Sequence, residues 1–231
     1  LDKDNEIKKI PLSTTRRTIA ERLLKSKQNI PHFYAELEMD ATNLVNVREE
    51  YISKNNIKIS YDDFIIKAVA SSIKDFPLIN SRFKETEIEL LEDINVGFAV
   101  ALGDEGVVVP VIKNADKKNI LQIYEERITL IEKARNRKLR VEDISNRSIT
   151  VNNVGVFGIK SIFAIINPPE VAIVTFGAIQ DRVVVVNGEI KVRKIMDITL
   201  SADHRVIDGA YGAKFLVKIK EFLENPNLLL T

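Results

Sequence analysis

Apolar positions along this chain repeat at two periods, and the switches between them predict most of its elements. From His32 to Asp40 every second residue is apolar (Phe33, Ala35, Leu37, Met39), the period of a half-buried strand. Thr42 to Asn55 changes to the helical period. Tyr61 to Phe76 is apolar nearly all round (Phe64, Ile65, Ile66, Ala68, Val69, Ala70, Ile73), which predicts a buried helix. Ahead of these, one of Ser13, Thr14 or Thr15 is placed to cap a helix running to about Lys27, with Ile19, Leu23 and Leu24 as a narrow inward stripe and Pro31 beyond its end. Asn119 to Arg137 predicts a long amphipathic helix with Ile120, Ile123, Tyr124, Ile128 and Ile131 inward. Gly209 to Glu224 predicts another, burying Phe215, Leu216, Ile219, Phe222 and Leu223.

Between the helices lie short strand patterns at Ile88–Leu91, Val107–Ile112, Ser148–Asn153, Val171–Gln180, Val183–Val186 and Glu189–Ala202. Pro110 marks its strand as an edge or a bulge. Asn187-Gly188 is a two-residue hairpin signal. From Ile94 the even positions are Ile, Val, Phe, Val and Leu. The odd ones are Asn95, Gly97, Ala99, Ala101 and Gly103. That small face admits close approach, either by a ligand or by another packed element. Helices and strands interleave without a βαβ rhythm, so the expected fold is α/β, an open mixed sheet with packed helices. Residues 1–11 are charged, end at Pro11 and suit a linker remnant; residues 12–231 form one domain.

Composition narrows the chemistry. The 231 residues are 45% hydrophobic and 29% charged, with a net charge of +1, so no electrostatic case exists for nucleic acid or an anionic membrane surface. No apolar run reaches membrane-spanning length. With no cysteine there are no disulfides, thiolate metal sites or cysteine nucleophiles, which is compatible with a cytoplasmic protein. No metal site is expected. Only two histidines remain. His204 follows an alternating strand at Ser201-Ala202-Asp203-His204-Arg205-Val206-Ile207-Asp208-Gly209-Ala210, and Asp208, four residues on, opens a helix. A histidine at such a junction suits a general base. The plainer reading is a satisfied histidine beside an ordinary N-cap.

The string and its flanks resemble the dihydrolipoamide acyltransferases, the core enzymes of 2-oxo acid dehydrogenase complexes, with chloramphenicol acetyltransferase as a distant relative. The resemblance continues through Thr15-Arg16-Arg17-Thr18-Ile19-Ala20, Ile30-Pro31-His32-Phe33, Leu91–Val100, Gly106–Ile112, Ile149–Gly155 and Ile166–Ile173. It implies a chloramphenicol-acetyltransferase-like fold and acyl transfer from a dihydrolipoyl thioester to coenzyme A. His204 would be the base and Asp208 would pair with Arg16. The oxyanion donor, commonly Ser or Thr, would fall on Asn152, with Thr150 on the same strand face as the other candidate. The histidine of one subunit would meet the donor of the next. Val107, Val109, Pro168 and Pro169 are candidate coenzyme A walls. His32 would be structural. The acyl group would be acetyl or branched-chain.

The resemblance further implies a homotrimer assembling into a cage, with the leucines at Leu228–Leu230 either joining trimers or packing within the subunit. A separate lipoyl domain would present the substrate. The decarboxylase and dihydrolipoamide dehydrogenase components would be held through an upstream domain, and a start at Leu1 is expected of a piece of such a protein. A catalytically decayed core, with Asn152 as the symptom, and a free small-molecule acetyltransferase are the alternatives. The glycines of Gly155-Val156-Phe157-Gly158 lack phosphate-loop spacing and predict a turn.

Overall fold

In a computed structural model, residues 9–103 and 106–230 are described; residues 1–8 of the 1–11 linker remnant, residues 104–105 and Thr231 lie outside them. Five α-helices among these residues, α1 (Thr14–Asn29), α2 (Thr42–Asn55), α3 (Tyr61–Ile73), α4 (Ile120–Arg135) and α5 (Gly209–Glu224), fall close to their predicted spans. Their ends follow local chemistry. The Ser13 hydroxyl accepts from the Arg16 N–H, and Ser60 with Asp63 and Asn119 with Gln122 form capping boxes.

The strands are β1 (His32–Asp40), β2 (Ser81–Lys84), β3 (Glu87–Leu90), β4 (Val96–Phe98), β5 (Val100–Ala101), β6 (Val107–Val108), β7 (Val111–Ile112), β8 (Ile149–Asn153), β9 (Ala172–Phe176), β10 (Gln180–Val186) and β11 (Glu189–Asp203). The main sheet runs β1-β11-β9-β8-β4-β7, with β10 paired to the first half of β11. The β8 pairings to β4 and β9 are parallel, while the other main-sheet pairings are antiparallel, so the sheet is mixed as expected. β7, just past Pro110, ends the sheet, where a missing N–H costs least. Asn187 and Gly188 both take positive φ, 53° and 81°, which a two-residue hairpin turn requires.

β11 is the spine. Its residues Ile198, Leu200 and Ala202 are fully buried in the core with α3 and α5, where Phe64, Phe215 and Ile219 also lie. Its alternate residues Asp197, Thr199, Ser201 and Asp203 are equally hidden but face the other way. The segment after η-turn Gly155–Phe157 covers that polar face. The Thr199 hydroxyl donates to the Ile162 carbonyl at 2.6 Å, and the Ser26 hydroxyl of α1 to Ile166 O at 2.6 Å. Gly177 is what lets this segment close. A Cβ there would stand 1.7 Å from the Lys160 carbonyl oxygen. Gly177→Ala is therefore expected to cost about 3 kcal/mol, near the upper end for overpacking, read as a lower denaturation midpoint; an unchanged midpoint would contradict the close approach.

Three expectations are corrected. The stretch from Ile94 to Leu102 is two strands, β4 and β5, rather than one. The face of α4 toward the core is Ile120, Ile123, Arg127, Leu130 and Ala134, so Tyr124, Ile128 and Ile131 are only half-buried. The Arg127 guanidinium reaches α3, donating to both Asp63 carboxylate oxygens at 2.6 and 3.0 Å. Burial works against the charge on Arg127, but the Asp63 hydrogen bond and attraction outweigh it and hold the guanidinium above its ordinary range. Third, the stripe of α1 is only partly covered: Ile19 is half-buried on the face of the buried Ser26, while Leu23 is 41% and Leu24 58% exposed. At the C-terminus Leu229 is buried within the subunit, while Leu228 is exposed.

Candidate active site

The strand and helix that flank the His204 string hold its backbone firmly. The His204 N–H donates to the Pro31 carbonyl at 3.0 Å, and the ring meets Phe33 edge-on, with centroids 5.0 Å apart. The imidazole is exposed, and neither ring nitrogen has a hydrogen-bond partner among the described residues. A base that must accept a proton from a substrate needs that freedom. His32 is the opposite case. Its Nδ1 lies 2.8 Å from the Ile30 carbonyl and its Nε2 accepts the Ile166 N–H at 3.1 Å. Both nitrogens are engaged, the second in holding the covering segment, so neither is open to a substrate proton.

Asp208 caps α5, its carboxylate accepting the Tyr211 N–H at 2.8 Å. The expected ion pair with Arg16 is not formed within the described residues: Asp208 is committed to its helix, and Arg16 is exposed near the start of α1. On β8, hydrogen bonding separates the candidates Thr150 and Asn152 and their neighbour Asn153. The Thr150 hydroxyl donates to the Glu170 carboxylate at 2.6 Å and is sealed in. Asn153 is occupied too, donating to Asp62 at 2.6 Å and accepting the Gly155 N–H at 2.9 Å. The Asn152 side chain is half-buried with no hydrogen-bond partner among the described residues. It is the polar side chain at this end of the strand with donors to spare.

His204 and Asn152 do not meet within one chain. Asn152 pairs with Thr175 and Thr175 with Thr199, which places Asn152 two strands away from β11 and level with a residue well before His204. With about 4.8 Å between strands and about 3.3 Å per residue, their Cα atoms are about 20 Å apart. The imidazole also leans toward Phe33, on the helix-covered face, whereas Asn152 shares the polar face of Thr199.

The four candidate wall residues divide as well. Pro168 and Pro169 border a cleft of about 710 Å³ beside Arg82, Arg147 and Glu170. Val107 and Val109 do not line it: Val107 is exposed, and Val109 packs on Gly97 together with Arg147. At Gly97 the small face of β4 is therefore filled by the chain's own side chains and is not an open channel there. Sequence reasoning missed Glu170. Burial pushes its carboxyl above the ordinary range, against the pull of Arg147 and the Thr150 hydroxyl. The signal was present, a lone carboxylate at the head of the apolar run Val171–Phe176.

A mixed sheet with an exposed histidine at the end of its longest strand and an amide donor on another strand defines the class first. The fold is that of chloramphenicol acetyltransferase, to which the chain is similar in structure at a TM-score of 0.58 and 14% identity, covering 94% of this chain and 99% of that one. Residues 4–231 match the family model of the 2-oxoacid dehydrogenases acyltransferase (catalytic domain), and the chain belongs to that family. It is 42% identical, over 97% of its length, to the dihydrolipoyllysine-residue acetyltransferase component of the pyruvate dehydrogenase complex of Rickettsia conorii. It is 39% identical, over 94%, to the lipoamide acyltransferase component of the branched-chain alpha-keto acid dehydrogenase complex of Bacillus subtilis. The chain spans 55% and 52% of those relatives, about half their length.

Two solved structures share the whole fold at a TM-score of 0.91. One is the cubic core of the pyruvate dehydrogenase multienzyme complex, 30% identical and covering 98% of this chain and 95% of that one. The other is the Azotobacter vinelandii dihydrolipoamide acetyltransferase, 31% identical with the same coverage. That work concerns the catalytic roles of a serine, a histidine 52 residues later and an asparagine four beyond it. The same two separations join Asn152, His204 and Asp208.

Proposed function

We propose that this chain is the catalytic core of a dihydrolipoyllysine-residue acyltransferase, moving an acyl group from a dihydrolipoyl thioester to the thiol of coenzyme A. One observation carries the reading: Asn152, His204 and Asp208 repeat the spacing of the serine, histidine and asparagine of the Azotobacter vinelandii enzyme, and His204 and Asn152 are the two with uncommitted side chains. The His204 imidazole takes the proton from the coenzyme A thiol as sulfur attacks the acyl carbon, then returns it to the departing dihydrolipoyl sulfur. The Asn152 amide donates to the oxyanion of the tetrahedral intermediate. Asp208 fixes the start of α5 and with it the turn that carries His204. No protein nucleophile takes part, which suits a chain without cysteine. Acetyl is the acyl group favoured by the relatives at 42% identity, with branched-chain acyl next.

Because about 20 Å separates His204 from Asn152 in one chain, the working site lies between copies, within a trimer that builds a larger core. Lipoyl and partner-binding domains belong to the rest of the protein. The experiment is complementation. His204→Ala and Asn152→Ala chains, each weak alone in acetyl transfer from S-acetyldihydrolipoamide to coenzyme A, are unfolded together and co-assembled. A mixed trimer contains an interface with both residues intact, so activity should rise well above that of either parent variant. A mixture no better than the mean of its two components would reject the shared site.

A further inference from the structure

One exposed flank of helix α1 borders a cleft. Arg22, Lys25 and Asn29 fall at helical spacing and line the 710 Å³ cleft. Across from them stand Arg82, Arg147 and Arg205, so five cations share one concave space. Its two acidic groups are already engaged. Glu170 is buried under Arg147, whose Nε donates to it at 2.6 Å, and it also takes the Thr150 hydroxyl. Asp203 is gripped by Arg205 through Nε at 2.9 Å and a terminal nitrogen at 2.7 Å. The Arg205 guanidinium is further fixed 3.9 Å from the centre of the Phe83 ring. By contrast, Arg22 and Lys25 are exposed and have no side-chain partner among the described residues.

Crowding matters here. Burial lowers the Arg82 pKa from its ordinary value, and although Glu170 pulls the other way, the neighbouring Arg147 charge lowers it further. From α1, Arg22 and Lys25 add more positive charge beside a wall already positive. In a cleft with low-dielectric sides such repulsion is focused, and an anion relieves it. We propose that this cleft is a binding site for a phosphate-bearing ligand, with Arg82, Arg147 and Arg205 as its fixed wall and Arg22 and Lys25 as the pair that closes over it. The volume lies within the range of about 300–1,000 Å³ usual for small-ligand sites. The forks of Arg147 and Arg205 are held by Glu170 and Asp203 and supply fixed positive charge, while the Arg22 fork, without a partner among the described residues, can match phosphate oxygens two at a time.

Two sources of phosphate fit. The phosphates of coenzyme A are one, since coenzyme A is the acyl acceptor; this part rests on the function proposed above. Free phosphate or pyrophosphate is the other, and does not. Calorimetric titration separates them, using inorganic pyrophosphate and coenzyme A on the parent chain, an Arg22→Ala/Lys25→Ala double variant and an Arg17→Ala control. All three substitutions are on exposed helix positions. Pyrophosphate should bind the parent and the control alike, more weakly as salt rises, and about tenfold or more weakly to the double variant, which lacks two charge-assisted contacts. If coenzyme A weakens by the same factor, its phosphates occupy the cleft; if its affinity is unchanged, the occupant is a free phosphate. Parent chain that does not bind pyrophosphate, equal binding to the parent and double variant, or an equal loss in the Arg17→Ala control would overturn the site. None of these readings depends on acyl transfer, so failure of the catalytic proposal would be seen separately.

Discussion

Replacing His204 with alanine should lower kcat for acetyl transfer to coenzyme A by about 10²–10⁴, the usual contribution of a positioned general base. In barrier terms that is about 3–5 kcal/mol. KM for either substrate should move little, because the lost interaction develops as the thiol proton is transferred. The fold should not notice. His204 is exposed, the hydrogen bond it makes to Pro31 uses its backbone N–H, and its ring offers one edge contact to Phe33. Exposed substitutions of this kind change stability by no more than about 0.5 kcal/mol. A large loss of rate with an unchanged melting curve is therefore the expected pattern. Wild-type turnover in the variant would remove His204 from the mechanism.

The second large effect is on stability and lies in the helices behind the sheet. Arg127→Met removes the partner of Asp63, whose side chain is fully buried. Leaving a buried carboxylate unpaired costs about 3–5 kcal/mol. In a domain of this size each kcal/mol moves Tm by about 2–4 °C, so a fall of roughly 6–20 °C is expected. Asp63→Asn in the same background should recover part of it. The amide keeps an acceptor for the Ser60 N–H, which Asp63 bonds at 2.7 Å, without a charge to bury. A double-mutant cycle in urea measures the coupling. If Arg127→Met melts with the parent, the pair is not what joins α4 to α3. Asp62, beside the same arginine at 3.9 Å, holds Asn153 next to the proposed oxyanion donor. Loosening this corner should therefore be felt at β8 as well.

Local pattern was enough for much of this. The caps at Ser13 and Asp208, the Asn187-Gly188 turn and the alternation of β11 each depend on residues a few positions apart. Strand and helix periods are properties of the backbone, so they can be counted along a chain. His204 was legible for the same reason, lying where one period ends and the other begins. Its separation from Asn152 and Asp208 is likewise written in the chain.

Tertiary structure decided what depends on distant partners. Arg127 reads as a solvated helix residue until Asp63, remote in sequence, neutralises it inside the core. Leu23 and Leu24 of α1 stay exposed even though Ser26 finds Ile166 O and seats the helix on the covering segment. Thr150 and Asn152 look equivalent on one strand face, yet the buried Glu170 claims the first and leaves the second free. Apolar burial rewards any suitable surface, but a buried charge or hydroxyl needs one particular partner in one geometry. That partner is chosen by the fold, which also sets His204 and Asn152 about 20 Å apart within a single chain.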